Sequence, residues 1–150
     1  MSTPALTYLT HLLARRDYSE AEIRQKMREK AFPDEDIEQA IAHCQQRNWQ
    51  SDQRFAENYV RYRANRGYGI HRIKQELRQL KGVPDAVIEQ AIAESEIDWT
   101  AIAQAVLAKK FPQFTEKQSP KMKQKMWQYM FSHGFTSDEF ADFVGEMGYE

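Results

Sequence analysis

The sequence predicts an all-α chain made of three tandem three-helix repeats in an elongated, curved helical array. Residues 34–42 read DEDIEQAIA and residues 85–93 read DAVIEQAIA, the same helix written twice about 50 residues apart. A looser third copy follows: Met126, Met130, Phe135, Phe140 and Val144 fall where Ile23, Met27, Phe32, Ile37 and Ile41 fall in the first. No run of alternating apolar and polar residues competes with the helical spacing. The repeats are expected at residues 1–50, 51–98 and 99–150.

In the first repeat Leu6, Leu9 and Leu13 recur at helical spacing. Ser19 caps a second helix, with Glu22 in capping-box position and Ile23 and Met27 on the buried face. Pro33 stands at the start of a third, where a missing N–H costs little, and Ile37, Ala40 and Ile41 face inward. In the second repeat Ser51 or Asp52 opens a helix whose apolar face is read as Phe55, Tyr59 and Tyr62. Gly67 and Gly69 flank Tyr68 in a turn that requires positive φ or close backbone approach. Ile70, Ile73, Leu77 and Leu80 form the stripe of the next helix, with His71, Arg72, Gln75, Arg78 and Gln79 opposite; Gly82 ends it and Pro84 starts its successor. In the third repeat Ile102, Val106 and Leu107 define a first helix, and FPQFTEKQS at 111–119 is an irregular link. Ser119-Pro120 begins the next helix, and Thr136 with Glu139 makes another capping box. Helices this short cannot bury their apolar faces alone, so neighbouring repeats must share a core.

Composition narrows the function. With 41% hydrophobic and 29% charged residues the chain is globular. The single Cys44 excludes an intrachain disulfide and suits a reducing compartment. No apolar run is long enough to span a bilayer, and the N-terminus lacks a leader pattern, so a cytoplasmic protein without membrane association is expected. Net charge is −1, which argues against a generic polyanion binder. The distribution is uneven, however. Residues 54–81 carry eight basic residues against Glu57 and Glu76, a net of +6, whereas 85–98 carry five acidic residues and no basic ones. Asp34, Glu35, Asp36 and Glu38 repeat that acidic block in the first copy; the third runs from Lys109, Lys110, Lys117, Lys121, Lys123 and Lys125 to Asp138, Glu139, Asp142 and Glu146. Stacked repeats would align their basic segments into a stripe that the net charge conceals.

The residues offer no catalytic constellation, and no enzyme activity, cofactor or metal is expected. His11, His43, His71 and His133 are scattered, and there is no second Cys for a zinc site. His43 and Cys44 are adjacent on a helix, so their side chains diverge, and Cys44 reads as a buried thiol. Gly67-Tyr68-Gly69 lacks the features of a phosphate loop. Tyr59, Tyr62 and Tyr68 alternate with Arg61, Arg63 and Arg66, a pattern that can stack bases and hold phosphates but equally describes a helix with a buried aromatic face. Six of the eight basic residues are Arg, which suits bidentate contact with phosphate or carboxylate.

The segment SDQRFAENYVRYRANRGYGIHRIKQELRQLKGVPDAVIEQA, residues 51–91, resembles the RecX family of recombination regulators. Asp52, Arg54, Phe55, Ala56, Tyr59, Arg63, Gly67, Gly69, Ile73, Glu76, Leu77, Gly82 and Val83 carry the likeness, and Glu96-Ile97-Asp98-Trp99 is similar to the junction before a third repeat. Leu13, Arg16, Ser19, Ile23 and Met27 fit the family's start, whereas Pro33 and Pro84 replace a hydroxyl cap and are expected to shift helix geometry slightly. The resemblance implies three tandem three-helix repeats and no catalytic residues. It further implies binding to the RecA filament and, through the filament groove, to single-stranded DNA. Inhibition of RecA ATPase and strand exchange would follow, modulating homologous recombination, DNA repair and the SOS response. Charge and helix facing select Arg61, Arg63, Arg66, Arg72, Lys74, Arg78 and Lys81 as the RecA- and DNA-binding surface, on a protein expected to be monomeric. Two other readings stay open: a direct DNA-binding helical module, and a helical-repeat scaffold for another protein.

Overall fold

The computed structural model describes residues 3–145, and every regular element among them is a helix. In chain order these are α1 (Pro4–Arg15), α2 (Glu20–Glu29), α3 (Asp34–Gln46), α4 (Asp52–Asn65), α5 (Ile70–Gln79), α6 (Asp85–Ser95), α7 (Trp99–Lys110), α8 (Pro120–Ser132) and α9 (Ser137–Val144). Glu146, the expected acidic end of the third repeat, lies outside the described residues.

The starts of the helices follow from local chemistry. Ser19 Oγ accepts from the Glu22 N–H at 3.1 Å, and Glu22 Oε1 accepts from the Ser19 N–H at 3.0 Å, so two otherwise orphaned donors are satisfied reciprocally. Ser51, rather than Asp52, caps α4, accepting from the Arg54 N–H at 3.1 Å. Ser119 caps α8 through the Met122 N–H, with Pro120 in its first turn, and the Glu139 carboxylate reaches back to the Thr136 N–H at the start of α9. Pro33 precedes α3 without any side-chain cap; Asp34, Glu35 and Asp36 complement the positive helix end instead.

The chain divides into two compact units, and the division passes through α4 and α5. One takes the described residues up to Tyr59 together with Leu77–Ser95. At its centre Leu9, Ile23, Met27, Ile37, Ala40, Ile41 and Cys44 form a closed core. The other takes Val60–Glu76 together with the described residues from Glu96 on. Its core joins Ala103, Leu107, Met126, Met130, Phe135, Phe140 and Val144. Each fully buried aliphatic or aromatic side chain contributes about 1.5–3 kcal/mol of transfer free energy, so these clusters dominate the stability of such short helices.

Two expected apolar stripes differ in detail. On α4 the buried residues are Phe55, Ala56, Val60 and Ala64, while Tyr62 is 55% exposed. The small residues at four-residue spacing permit close approach, and Tyr62 lies on the far side of the helix. Leu80 is 71% exposed because α5 ends at Gln79; Val83, beyond the turn, is buried instead.

The same joint occurs in both units. In the first, Ser19 Oγ donates to the Lys81 carbonyl at 2.6 Å, and a Cβ on Gly82, whose φ is +65°, would stand 2.5 Å from the Ala21 Cβ. In the second, the Gly69 N–H donates to the His133 carbonyl at 2.7 Å and the His71 N–H to the Gly134 carbonyl at 3.0 Å. The start of a repeat's second helix thus docks on the turn between the second and third helices of the next repeat, with glycine where backbones meet.

Candidate interaction surface

Arg61, Arg63, Arg66, Arg72 and Lys74 belong to one unit, and Arg78 and Lys81 to the other. Their environments differ sharply. Arg63 grips Glu76 bidentately, Nε at 2.9 Å and Nη2 at 2.8 Å, and both side chains are largely buried. Its guanidinium also lies 3.9 Å above the Tyr68 ring. Arg72 approaches the same carboxylate at 3.4 Å, donates to the Ser132 carbonyl at 3.2 Å, and lies 4.5 Å from the Tyr68 centroid. Arg63 and Arg72 are therefore joints of the structure, locking α4 to α5 and α5 to the end of α8. Lys81 is similarly tied, its Nζ 3.2 Å from Glu22 in the partly buried α2 capping box.

The remaining residues are more accessible. Arg61 and Arg66 are exposed, and Arg66 donates to the Tyr62 hydroxyl at 3.0 Å. Arg78 pairs with Asp85 at 2.6 Å, but both side chains are half exposed or more, so the pair holds Arg78 only weakly. Lys74 is half-buried. At 100° per residue, Lys74 and Arg78 lie about 40° apart on α5, while Arg72 lies about 120° from Arg78 on the other flank. A single helix face does not hold all three.

Of the interleaved tyrosines, Tyr59 and Tyr68 are packed, whereas Tyr62 is exposed. Tyr68 stacks on His133 at 5.4 Å and bears two guanidiniums, and Tyr59 stacks on Phe55 at 5.9 Å. Cys44 is fully buried, and burial pushes its thiol pKa up; neighbouring His43 turns to Arg47, Nη1 to Nδ1 at 3.1 Å. Among the described residues no cluster of His, Cys, Asp and Glu is placed to hold a metal ion, and no helix is long and apolar enough to cross a membrane.

One feature was not read as a site from sequence. A groove of about 450 Å³ opens between the end of α4, α7 and α8. Arg66 and Gly67 stand on one side, Ile102 and Val106 form its floor, and Lys109 and Lys110 its rim. The signal was present in α7: Ala103 and Leu107 turn into the core, while Ile102, Ala105, Val106 and Lys109 form a second stripe at helical spacing.

Residues 5–44, 51–92 and 96–144 match, in order, the first, second and third three-helix domains of RecX. The chain belongs to the RecX family. Regulatory protein RecX of Haemophilus influenzae (strain PittEE) is 58% identical over 146 residues, covering 97% of this chain and 96% of that protein. Regulatory protein RecX of Pasteurella multocida (strain Pm70) is 55% identical over the whole chain and 92% of its own length. Two RecX crystal structures share the fold. One has a TM-score of 0.81 at 24% identity, covering 95% of this chain and 72% of its own. The other, from Lactobacillus salivarius, has a TM-score of 0.75 at 21% identity, covering 95% and 94%. The RecX relatives are named as regulatory proteins, and this chain is a family member across all three domains.

Proposed function

We propose that this chain binds the RecA–single-stranded DNA filament and inhibits RecA ATPase and strand exchange, thereby modulating recombination and DNA repair. The observation that carries the reading is the ordered match of three consecutive RecX domains, joined to relatives of matching length named regulatory proteins. It acts as a cytoplasmic monomer whose functional units are the repeats at 1–50, 51–98 and 99–150.

A filament of recombinase on DNA offers phosphates and acidic side chains together. The accessible cations of this chain suit both. Arg61, Arg66 and Arg78 are exposed guanidiniums, and the Arg78–Asp85 pair can open at small cost. Arg63, Arg72 and Lys81 support the surface by fixing the helices that bear those residues. Inhibition requires no chemistry from the regulator: occupying the filament and opposing its working conformation suffices.

The test is ATP hydrolysis by RecA on single-stranded DNA as this protein is titrated in. Inhibition at substoichiometric amounts is expected, because one bound molecule affects many subunits of a filament. Absence of inhibition at excess over RecA overturns the reading and moves the function to direct DNA binding or scaffolding.

A further inference from the structure

The groove on α7 joins an aliphatic floor to a rim of one charge. Arg66, Lys109 and Lys110 have no carboxylate partner among the described residues, and no Asp or Glu lines the groove. Ile102 and Val106 pack against the core with one side and remain half-exposed in the groove with the other. Gly67, at φ +91°, keeps the α4 end against this floor, since its Cβ would meet the Val106 side chain at 3.2 Å. Cations without a carboxylate, beside half-exposed aliphatic surface, are jointly satisfied by carboxylates flanking an apolar side chain.

The aromatic rings at the groove decide between peptide and nucleic acid. A base needs an open ring face on which to stack. Tyr129 is stacked by His133 at 4.0 Å and met by Phe111 edge-on at 5.6 Å, and His133 lies between Tyr129 and Tyr68. Tyr129 and His133 line the groove half-exposed, but their ring faces are engaged by each other, by Tyr68 and by the Lys110 ammonium, 5.5 Å from the Tyr129 centroid.

We propose that this groove binds an acidic peptide segment, which seats an aliphatic side chain on Ile102 and Val106 and sets its carboxylates against Arg66, Lys109 and Lys110. The site adds a docking point to the RecA-filament reading and is tested without RecA, so either can fail while the other stands.

The experiment is fluorescence anisotropy of the full chain with a dye-labelled peptide of repeating Glu-Glu-Leu. Saturable binding is expected. It should weaken at least about tenfold in Lys109→Glu/Lys110→Glu, reversing two contacts that each act over a short, partly desolvated distance. A peptide with Ser in place of every Leu should weaken comparably, which separates seating from charge attraction alone. Both lysines are exposed, so the variant's helical circular dichroism should match the parent's, and Lys109→Gln/Lys110→Gln should bind at intermediate strength. The proposal is overturned if the peptide does not saturate, if charge reversal leaves binding unchanged, or if the Ser peptide binds equally well. It is also overturned if a labelled oligothymidylate, not displaced by the peptide, is what the lysine reversal releases.

Discussion

Arg63 on α4 and Glu76 on α5 form a bidentate ion pair, both of whose side chains are largely withdrawn from water, at 20% and 13% exposure. This pair makes Arg63 a fixture of the fold.

Removing either partner takes two charge-assisted hydrogen bonds from a poorly hydrated charge, although Arg72 stays 3.4 Å from the Glu76 carboxylate. Arg63→Ala and Glu76→Gln should each destabilise by about 2–3 kcal/mol, below the 3–5 kcal/mol of fully buried pairs because water retains some access. Arg63→Lys should recover only part, since an ammonium cannot span both carboxylate oxygens. Urea unfolding monitored by circular dichroism measures each, and a midpoint unchanged in Arg63→Ala would show the pair to be dispensable.

The joint at Gly69 predicts a steric effect of a different kind. A Cβ there would stand 2.5 Å from the Gly134 carbonyl carbon and oxygen and 2.6 Å from the Phe135 nitrogen, all backbone atoms that cannot swing aside. Gly69→Ala should therefore cost about 1–3 kcal/mol, the range of overpacking penalties, and lower the thermal midpoint. Gly69 stands at the N-cap of α5, its carbonyl accepting from the Ile73 N–H, a position that itself prefers Gly to Ala, so a stabilised variant would disprove the close approach.

Glu38 gives a pH dependence whose sign is fixed. Hydrogen bonds from Arg24, at 2.9 Å from Nε and 2.8 Å from Nη2, hold its carboxyl below the ordinary carboxylate range. A lowered folded pKa means the stabilisation is complete above the unfolded value of about 4.3 and is lost as pH falls through the folded one. Glu38 is 53% exposed, so the contribution is only about 0.5 kcal/mol. Glu38→Gln should be slightly less stable than the parent at neutral pH and equal to it at strongly acid pH, as denaturation curves across that range would reveal.

Cys44 should be protected from reagents. Its side chain is buried and burial raises its pKa, so the neutral thiol dominates at neutral pH. Maleimide labelling of the native protein should be slow and should accelerate in urea in step with unfolding. The raised pKa also means this group's stabilising effect is full below the unfolded thiol value of about 8.5 and declines as pH rises beyond it. Rapid labelling without denaturant would contradict the closed core.

Helix type, order and starts were legible in the residues because each depends on neighbours three or four positions away. The Ser19–Glu22 capping box, the Ile23 and Met27 face, and the shared positions of Ile37, Ile41, Phe140 and Val144 are all of this kind. The turn at Gly67 was legible too, since φ of +91° strongly favours glycine. The family followed from residues 51–91, whose likeness the matches to three RecX domains extend over most of the chain.

Tertiary structure decided which of those residues face water and which face one another. Arg63 and Arg61 carry the same charge two positions apart, yet Arg63 is half-buried against Glu76, on another helix, while Arg61 is exposed. Tyr62 and Leu80 fit an apolar period but are exposed, because Val60, Ala64 and Val83 fill the places they would have taken. The groove on α7 combines α4, α7 and α8, and Lys109 and Lys110 acquire their aliphatic floor only when these pack. Periodicity orders side chains around one helix axis; long-range packing determines which side of that helix finds a partner.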